Sequence, residues 1–493
     1  MGHPGRPDKA FASMIRLDSR RALCIGLALA APILQAASQE HTHTSTARDV
    51  VPVSRAAGPA VLRNESRAPH TVEVTIVAEA TRLSFIPGKS TVAYAYNGRV
   101  PGPMLEAYEG DKVIVHFRNK LPEPTTIHWH GLHIPASSDG SPFYPVAPGT
   151  TFDYVFTLQP GSAGTYWYHP HPDHNTGAQI AKGLYGSLVV RDPKDPLKGI
   201  PEKLIVLSDN RFKDDGSIDI ADPDSPQGGI DFENGRECAH VFVNGELNPT
   251  MSIRAGEVQR WRIINASAAR VYRLAIPGQT LLHVGNDGGL FEHPREVKDI
   301  LIANSERVEV LVRGTGKPGS VTVLQNLPYD RYSIHTRPTE WDKVHDLLKI
   351  QYTSDKPVRP RVIPASLRVI PAIDTALAVR TRVFALGQGF INGKLHDMNR
   401  VDETGKLGDV EIWQVENIVG MDHPFHLHGF QFQVLDRDGV PEPFTSWKDT
   451  VNVPKHSVVR FIVRLSDFAG KWMYHCHILD HEDHGMMGIL EVN

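Results

Sequence analysis

Lys471-Trp-Met-Tyr-His-Cys-His-Ile-Leu-Asp-His-Glu-Asp-His-Gly-Met-Met487 is the stretch from which the rest of the chain can be read. The run from Lys471 to His477 is rich in aromatics and follows Gly470, which predicts a strand with alternate side chains on opposite faces. His475 and His477 then share one face, and Cys476 takes the other. Together with His481 and Met486 they offer imidazoles, a thiolate and a thioether, at the spacing of a site with histidine and cysteine ligands and a weak axial methionine. That donor set suits copper. Such a strand holds one metal through its sulfur and two others through its imidazoles, so it is built as an electron wire. For a lone His-Cys-His, a buried cysteine among incidental histidines is the alternative reading. His481 and Met486, five and ten residues beyond the cysteine, favour the metal.

Moving outward, Gly164-Thr-Tyr-Trp-Tyr-His-Pro-His171 aligns residue for residue with Gly470-Lys-Trp-Met-Tyr-His-Cys-His477, and His128-Trp-His-Gly131 matches His426-Leu-His-Gly429. Ten of the 25 histidines fall into four such clusters, completed by His423 and His481. A His-X-His on a strand presents two imidazoles on one face, so Trp129, Pro170 and Leu427 need not be polar. The corresponding central stretch, Gly319-Ser-Val-Thr-Val-Leu-Gln-Asn326, has no histidine. Eight imidazoles from two homologous units facing each other have donors enough for three metals, whereas a structural zinc needs only four ligands. His133, His174 and His484 adjoin the motifs but occupy no equivalent position.

A threefold repeat organises the chain. Asn97-Gly98 is followed by Gly110 and Asn119, Asn244-Gly245 by Gly256 and Asn265, and Asn392-Gly393 by Gly408 and Asn417. The Gly-to-Asn interval is nine each time, and the copies begin 147 and 148 residues apart. Short alternating runs such as Lys112–Phe117, Gln259–Ile264 and Val458–Val463, punctuated by Gly, Pro and Asn, predict an all-β chain of three consecutive Greek-key β-sandwiches. Their expected spans are 71–195, 196–355 and 356–493. Pro357, Pro360, Pro364 and Pro371 mark a linker, and residues 213–238 read as a solvated loop insertion, with a lid as the alternative.

Arg16, Arg20 and Arg21 precede an apolar run from Ala22 to Leu34 and the small residues Ala36-Ala37-Ser38, the three parts of an export signal. Ser19-Arg-Arg-Ala-Leu23 is twin-arginine-like, and twin-arginine export carries already folded proteins. The apolar run is short for a bilayer span, so residues 1–38 are expected to be removed, leaving an exported, periplasmic or extracellular protein with no membrane span. An uncleaved anchor is the alternative. Residues 39–70 are expected to form a flexible tail in which His41 and His43 could bind metal weakly. Loss of the signal removes five cations and two acids and turns a formal charge of −4 into −7, which does not suit a nucleic-acid partner. Only Cys238 and Cys476 then remain, so a ligand role for Cys476 precludes an intramolecular disulfide.

The four histidine motifs resemble those of the multicopper oxidases, three-domain cupredoxin enzymes of the laccase, bilirubin oxidase and bacterial copper-efflux oxidase type. The resemblance implies four copper ions. A type 1 ion would sit on His423, Cys476 and His481 with Met486 axial, and a type 2 ion on His128 and His426. A type 3 pair would sit on His130, His169, His171, His428, His475 and His477. It also implies O2 as acceptor, a small reducing substrate, His481 as the exposed edge where that substrate delivers electrons, and Asp139 and Glu482 as proton carriers. Copper-efflux oxidases share the His481-Glu-Asp-His-Gly-Met-Met487 pattern but carry a methionine-rich insertion. Only nine methionines occur in this chain, and no cluster lies outside Met486-Met487. A phenol or aromatic amine is therefore the expected donor. Cu(I) is the alternative, with Met421 and Asp422 beside His423 as its potential contacts, and a copper-free, export-linked structural role is a third reading.

Overall fold

The computed structural model describes residues 58–331 and 343–493. The export-signal segment and His41 and His43 lie outside the described residues. The described chain belongs to one compact unit in which six β-sheets form three successive pairs. Strands of the first pair fall within 71–191, of the second within 202–352 and of the third within 378–492. No helix among the described residues is long and apolar enough to cross a membrane.

Each pair closes over its own core. In the first, Val72, Val74 and Val113 from one sheet meet Leu105, Tyr166 and Leu188 from the other. In the third, Phe384, Trp413 and Phe461 meet Phe425, Trp472 and Tyr474. Each large apolar side chain buried this way contributes about 1.5–3 kcal/mol. The crossover expected of a Greek key appears as parallel pairing of non-consecutive strands: Thr71–Leu83 with Lys112–Asn119, Glu202–Asn210 with Val258–Asn265, and Ala378–Leu386 with Val410–Asn417.

The repeat has a structural cause. Asn97, Asn244 and Asn392 all adopt φ of 51–53°, each followed by a glycine at positive φ, the backbone of a tight primed turn. Their side-chain carbonyls accept the N–H of Val77, Val206 and Ala385 at 2.6–2.8 Å. Asn119, Asn265 and Asn417 donate to two backbone carbonyls apiece, tying the following loop to the sheet. These side chains replace missing backbone partners, which explains why the spacing recurs.

Two segments differ from expectation. Residues 58–70 are not a tail: Leu62 and Glu65 donate backbone N–H groups to Met104 and Glu73, and Asn64 accepts from Glu73. The proline-rich stretch holds no strand between Tyr352 and Ala378; Pro357, Pro360, Pro364 and Pro371 are exposed, while Leu367 and Ile370 are buried and Leu367 N–H bonds to Glu292 O. Residues 213–238 are not a solvated loop. With α1 spanning Thr176–Ala181, they contain α2 (Pro226–Asn234), capped by Ser225 accepting from Gly228 N–H at 3.0 Å. This helix packs on α3 (Leu479–Asp483), where Arg236 N–H donates to Asp480 at 2.7 Å.

Candidate metal centre

Strand alternation sets every donor's direction. On Gly470–Cys476, Trp472, Tyr474 and Cys476 enter the core of the third sandwich, while His475 turns to the opposite face. On His128–His130 and Gly164–His169, Trp129, Tyr166 and Tyr168 enter the first core and leave the histidines outside it. His128 lies opposite His169, as His426 lies opposite His475. The two homologous faces meet, and the eight imidazoles interleave.

Their nitrogens sort into distinct groups. His130, His169 and His477 offer ligand atoms within 4.8 Å of one another, as do His171, His428 and His475. His128 and His426 converge with His130 in a third group, and His423, Cys476 and His481 form a fourth. Each of the first three groups mixes the two sandwiches, two donors from one and one from the other, whereas the fourth comes from the third sandwich alone. His475 and His477, whose ring centroids are 5.4 Å apart, belong to different triads.

Backbone and carboxylate acceptors fix the rings. Nδ1–H of His128 donates to Asp139 O at 2.9 Å, that of His426 to Asp449 O at 2.8 Å, and that of His428 to Asp139 Oδ2 at 2.8 Å. His130 turns the other nitrogen outward, Nε2–H to Asp449 Oδ1 at 3.0 Å. Such bonds set the tautomer and raise the basicity of the free nitrogen. Burial lowers the pKa of His130, His169, His426 and His428 well below the ordinary value, and that of His171 and His477 to about 3. These imidazoles are therefore neutral donors at neutral pH.

At the fourth group, Cys476 Sγ stands 3.8 Å from His481 Nδ1 and accepts Ile478 N–H at 3.4 Å. Met486 is fully buried in the same core; its N–H donates to His481 O and its carbonyl accepts Cys476 N–H. Burial pushes the Cys476 thiol up to about 12, so taking up a cation here displaces a proton. His481 is not an exposed edge. It is wholly buried, with the Phe232 ring of α2 6.3 Å away, centroid to centroid.

Both expected carboxylates sit inside the histidine assembly. Asp139 Oδ2 is 2.8 Å from His428 and 3.4 Å from His128. Glu482 lies between the faces, Oε1 3.4 Å from His171 Nε2 and Oε2 3.2 Å from His475 Nδ1. Burial alone would raise its pKa, but the imidazoles of His475 and His171 hold it well below the carboxylate range.

The residues fit cations. His128 Nε2, His426 Nε2 and both ring nitrogens of His423 and His477 are buried without a hydrogen-bond partner. Leaving such atoms unsatisfied costs about 1–3 kcal/mol each, and a soft or borderline metal removes that cost.

The middle sandwich supplies braces that sequence motifs did not reveal. Arg307 is fully buried and forms a bidentate ion pair with Asp449, the residue that orients His130 and His426. Asn304 donates to His477 O, and Ser305 to Thr450. Asp449 and Thr450 follow Trp447-Lys448, with no periodic or histidine signal to mark them. Arg307→Met is expected to destabilise the metal-free protein by roughly 3–5 kcal/mol, because it strands the Asp449 carboxylate. Denaturant unfolding tests this; a change within error would remove Arg307 from the bracing network.

Three Greek-key sandwiches with donor sets buried between the first and third define a multidomain cupredoxin metalloprotein. The chain belongs to the multicopper oxidase family, whose models match residues 78–195, 210–367 and 370–493. It is 31% identical over 436 residues to multicopper oxidase mco of Staphylococcus haemolyticus, spanning 85% of this chain and 88% of that one. A multicopper oxidase from Campylobacter jejuni, described as a metallo-oxidase, superposes with a TM-score of 0.80 at 34% identity, covering 88% of this chain and 94% of its own. A laccase from Pediococcus acidilactici superposes at 0.78 with 32% identity, covering 88% and 92%.

Proposed function

We propose that this protein couples one-electron oxidation of a phenol or aromatic amine to four-electron reduction of O2 to water. The observation that carries the reading is the Gly470–Cys476 strand with its neighbour His477, where three consecutive residues belong to three separate donor groups. His423, Cys476 and His481, with Met486 axial, would hold a type 1 copper. His128 and His426 would hold a type 2 copper, and His130, His169, His477 with His171, His428, His475 a type 3 pair. Copper bound there supplies reversible one-electron storage, so that four electrons can be delivered to one O2.

The chain's own residues do the rest. Cys476 is joined to His475 and His477 by one peptide each, so a covalent path connects the thiolate to both triads. Asp139 and Glu482 contact imidazoles of the assembly and are positioned to carry protons, and complete burial of the donors excludes bulk water. The full donor set argues against a copper-free structural role.

The alternative donor is Cu(I), as in a periplasmic copper-tolerance enzyme, and the description of the Campylobacter relative as a metallo-oxidase favours it. Local contacts favour the organic donor. Asp422 is engaged by Tyr329, Asn452 and the Lys455 N–H, and Met421 Sδ is 3.6 Å from the Arg331 guanidinium. Neither residue is thus a free ligand for Cu(I), and the Arg331 guanidinium already lies against the Met421 sulfur. Steady-state rates on copper-loaded protein decide between them: phenols should turn over without added copper, and Phe232→Ala should speed bulky donors by uncovering His481. Negligible phenol turnover beside rapid, saturable Cu(I) oxidation would reverse the assignment.

Export to the periplasm or beyond is part of the same proposal and rests on the N-terminal signal pattern. The mass of the mature protein from fractionated cells tests it.

A further inference from the structure

The donor group of His423, Cys476 and His481 has a buried charged neighbour that none of the sequence motifs marks. Arg331 follows the strand Val321–Asn326 of the middle sandwich, and its carbonyl accepts Asp422 N–H at 3.1 Å, which ties it to the residue before His423. Its side chain is only 8% exposed. Nη1 lies 3.6 Å from Met421 Sδ, Nη2 donates to Asn234 O, and Nε pairs with Glu237. A methyl group placed on Gly235 would stand 3.6 Å from the guanidinium and 2.5 Å from Ile478 Cγ2. Ile478 is the residue whose N–H Cys476 Sγ accepts. The guanidinium therefore flanks both segments that carry the donors, one through Met421 and the other through Ile478. Burial dominates the pKa of all three donors, and the Arg331 charge acts on each in the direction that favours a neutral imidazole or a thiolate.

We propose that Arg331 raises the reduction potential of the Cys476 site, an inference that rests on the copper assignment given above. Taking up one electron makes the site one unit more negative, and a cation held in a low-dielectric interior stabilises that state more than the oxidised one. Glu237 offsets the charge only in part. Its side chain is 16% exposed, so water screens it better, and it pairs with Nε while Nη1 and Nη2 face Met421 and the end of α2. A guanidinium suits the role because it stays protonated at any pH the protein meets. Arg331 acts through its field at the ligands rather than by touching the electron donor. A higher potential extends oxidation to donors that release electrons less readily, phenols among them.

The test is a redox titration of the copper-loaded full chain, following the blue band against a mediator of fixed potential, in wild type, Arg331→Met, Arg331→Lys and Glu237→Gln. Arg331→Met is expected to lower the equilibrium constant for reduction about tenfold, the scale of one partly compensated charge in a protein interior. Glu237→Gln is expected to raise it, and Arg331→Lys, which keeps the charge, to stay close to wild type. Loss of packing would move the methionine and glutamine variants the same way, whereas a field effect gives them opposite signs. Unchanged constants in both, or shifts of the same sign, overturn the inference, and so does a lysine variant that shifts as far as the methionine one. Where Arg331→Met does not fold, Glu237→Gln decides alone: a raised constant supports the inference, and an unchanged or lowered one overturns it. A wild type without the blue band removes the copper assignment and this inference with it. A blue band with charge-independent potentials removes the inference alone.

Discussion

Cys476→Ser is expected to abolish the blue colour and reduce substrate oxidation to background, with the copper-to-protein ratio falling by one. A two-histidine, one-cysteine site owes its colour and its electron transfer to the thiolate, and a serine hydroxyl is a poor ligand for copper. The substitution is nearly isosteric in a fully buried position, and the hydroxyl can still accept Ile478 N–H, so the third core should survive. The eight imidazoles of the remaining groups are untouched and should keep their copper. A purified Cys476→Ser variant that stays blue would show that the thiolate is not the ligand.

The second large effect is expected at the carboxylates. Glu482→Gln should slow turnover about 10²-fold or more, the range for losing a positioned proton carrier. Glu482 lies between the two faces with one oxygen 3.4 Å from His171 Nε2 and the other 3.2 Å from His475 Nδ1, so it is placed to pass a proton along the side of either ring. Glutamine keeps the shape and loses that capacity. Asp139→Asn should act in the same direction, since its Oδ1 is buried without a partner while Oδ2 holds His428. Both variants should bind copper fully and reduce their type 1 site at the wild-type rate under anaerobic conditions. Their turnover in air should fall with an altered pH profile. Unchanged turnover in both would make these two acids structural.

The sequence by itself determined the period-2 faces, and with them which side chains enter the cores and which remain as donors. Trp472, Tyr474 and Cys476 face one way and His475 the other because a strand permits nothing else, and His477 follows directly after its last residue. The asparagine turns were equally local, since each Asn-Gly closes its own hairpin, so three copies of the spacing announced three sandwiches. Local rules cannot say which imidazoles from distant segments converge. The grouping of His477 with His130 and His169, and of His475 with His171 and His428, exists only because two homologous faces pack against each other. Likewise Arg307 and Asp449 lie 142 residues apart and meet only in the packed chain. The Asp and Gly content of residues 213–238 is that of a loop, whereas the helix Pro226–Asn234 within them is set by what it packs against. With α2 docked on α3, the Phe232 ring lies 6.3 Å from His481, which is wholly buried, so an edge that the motif alone left open becomes part of the interior.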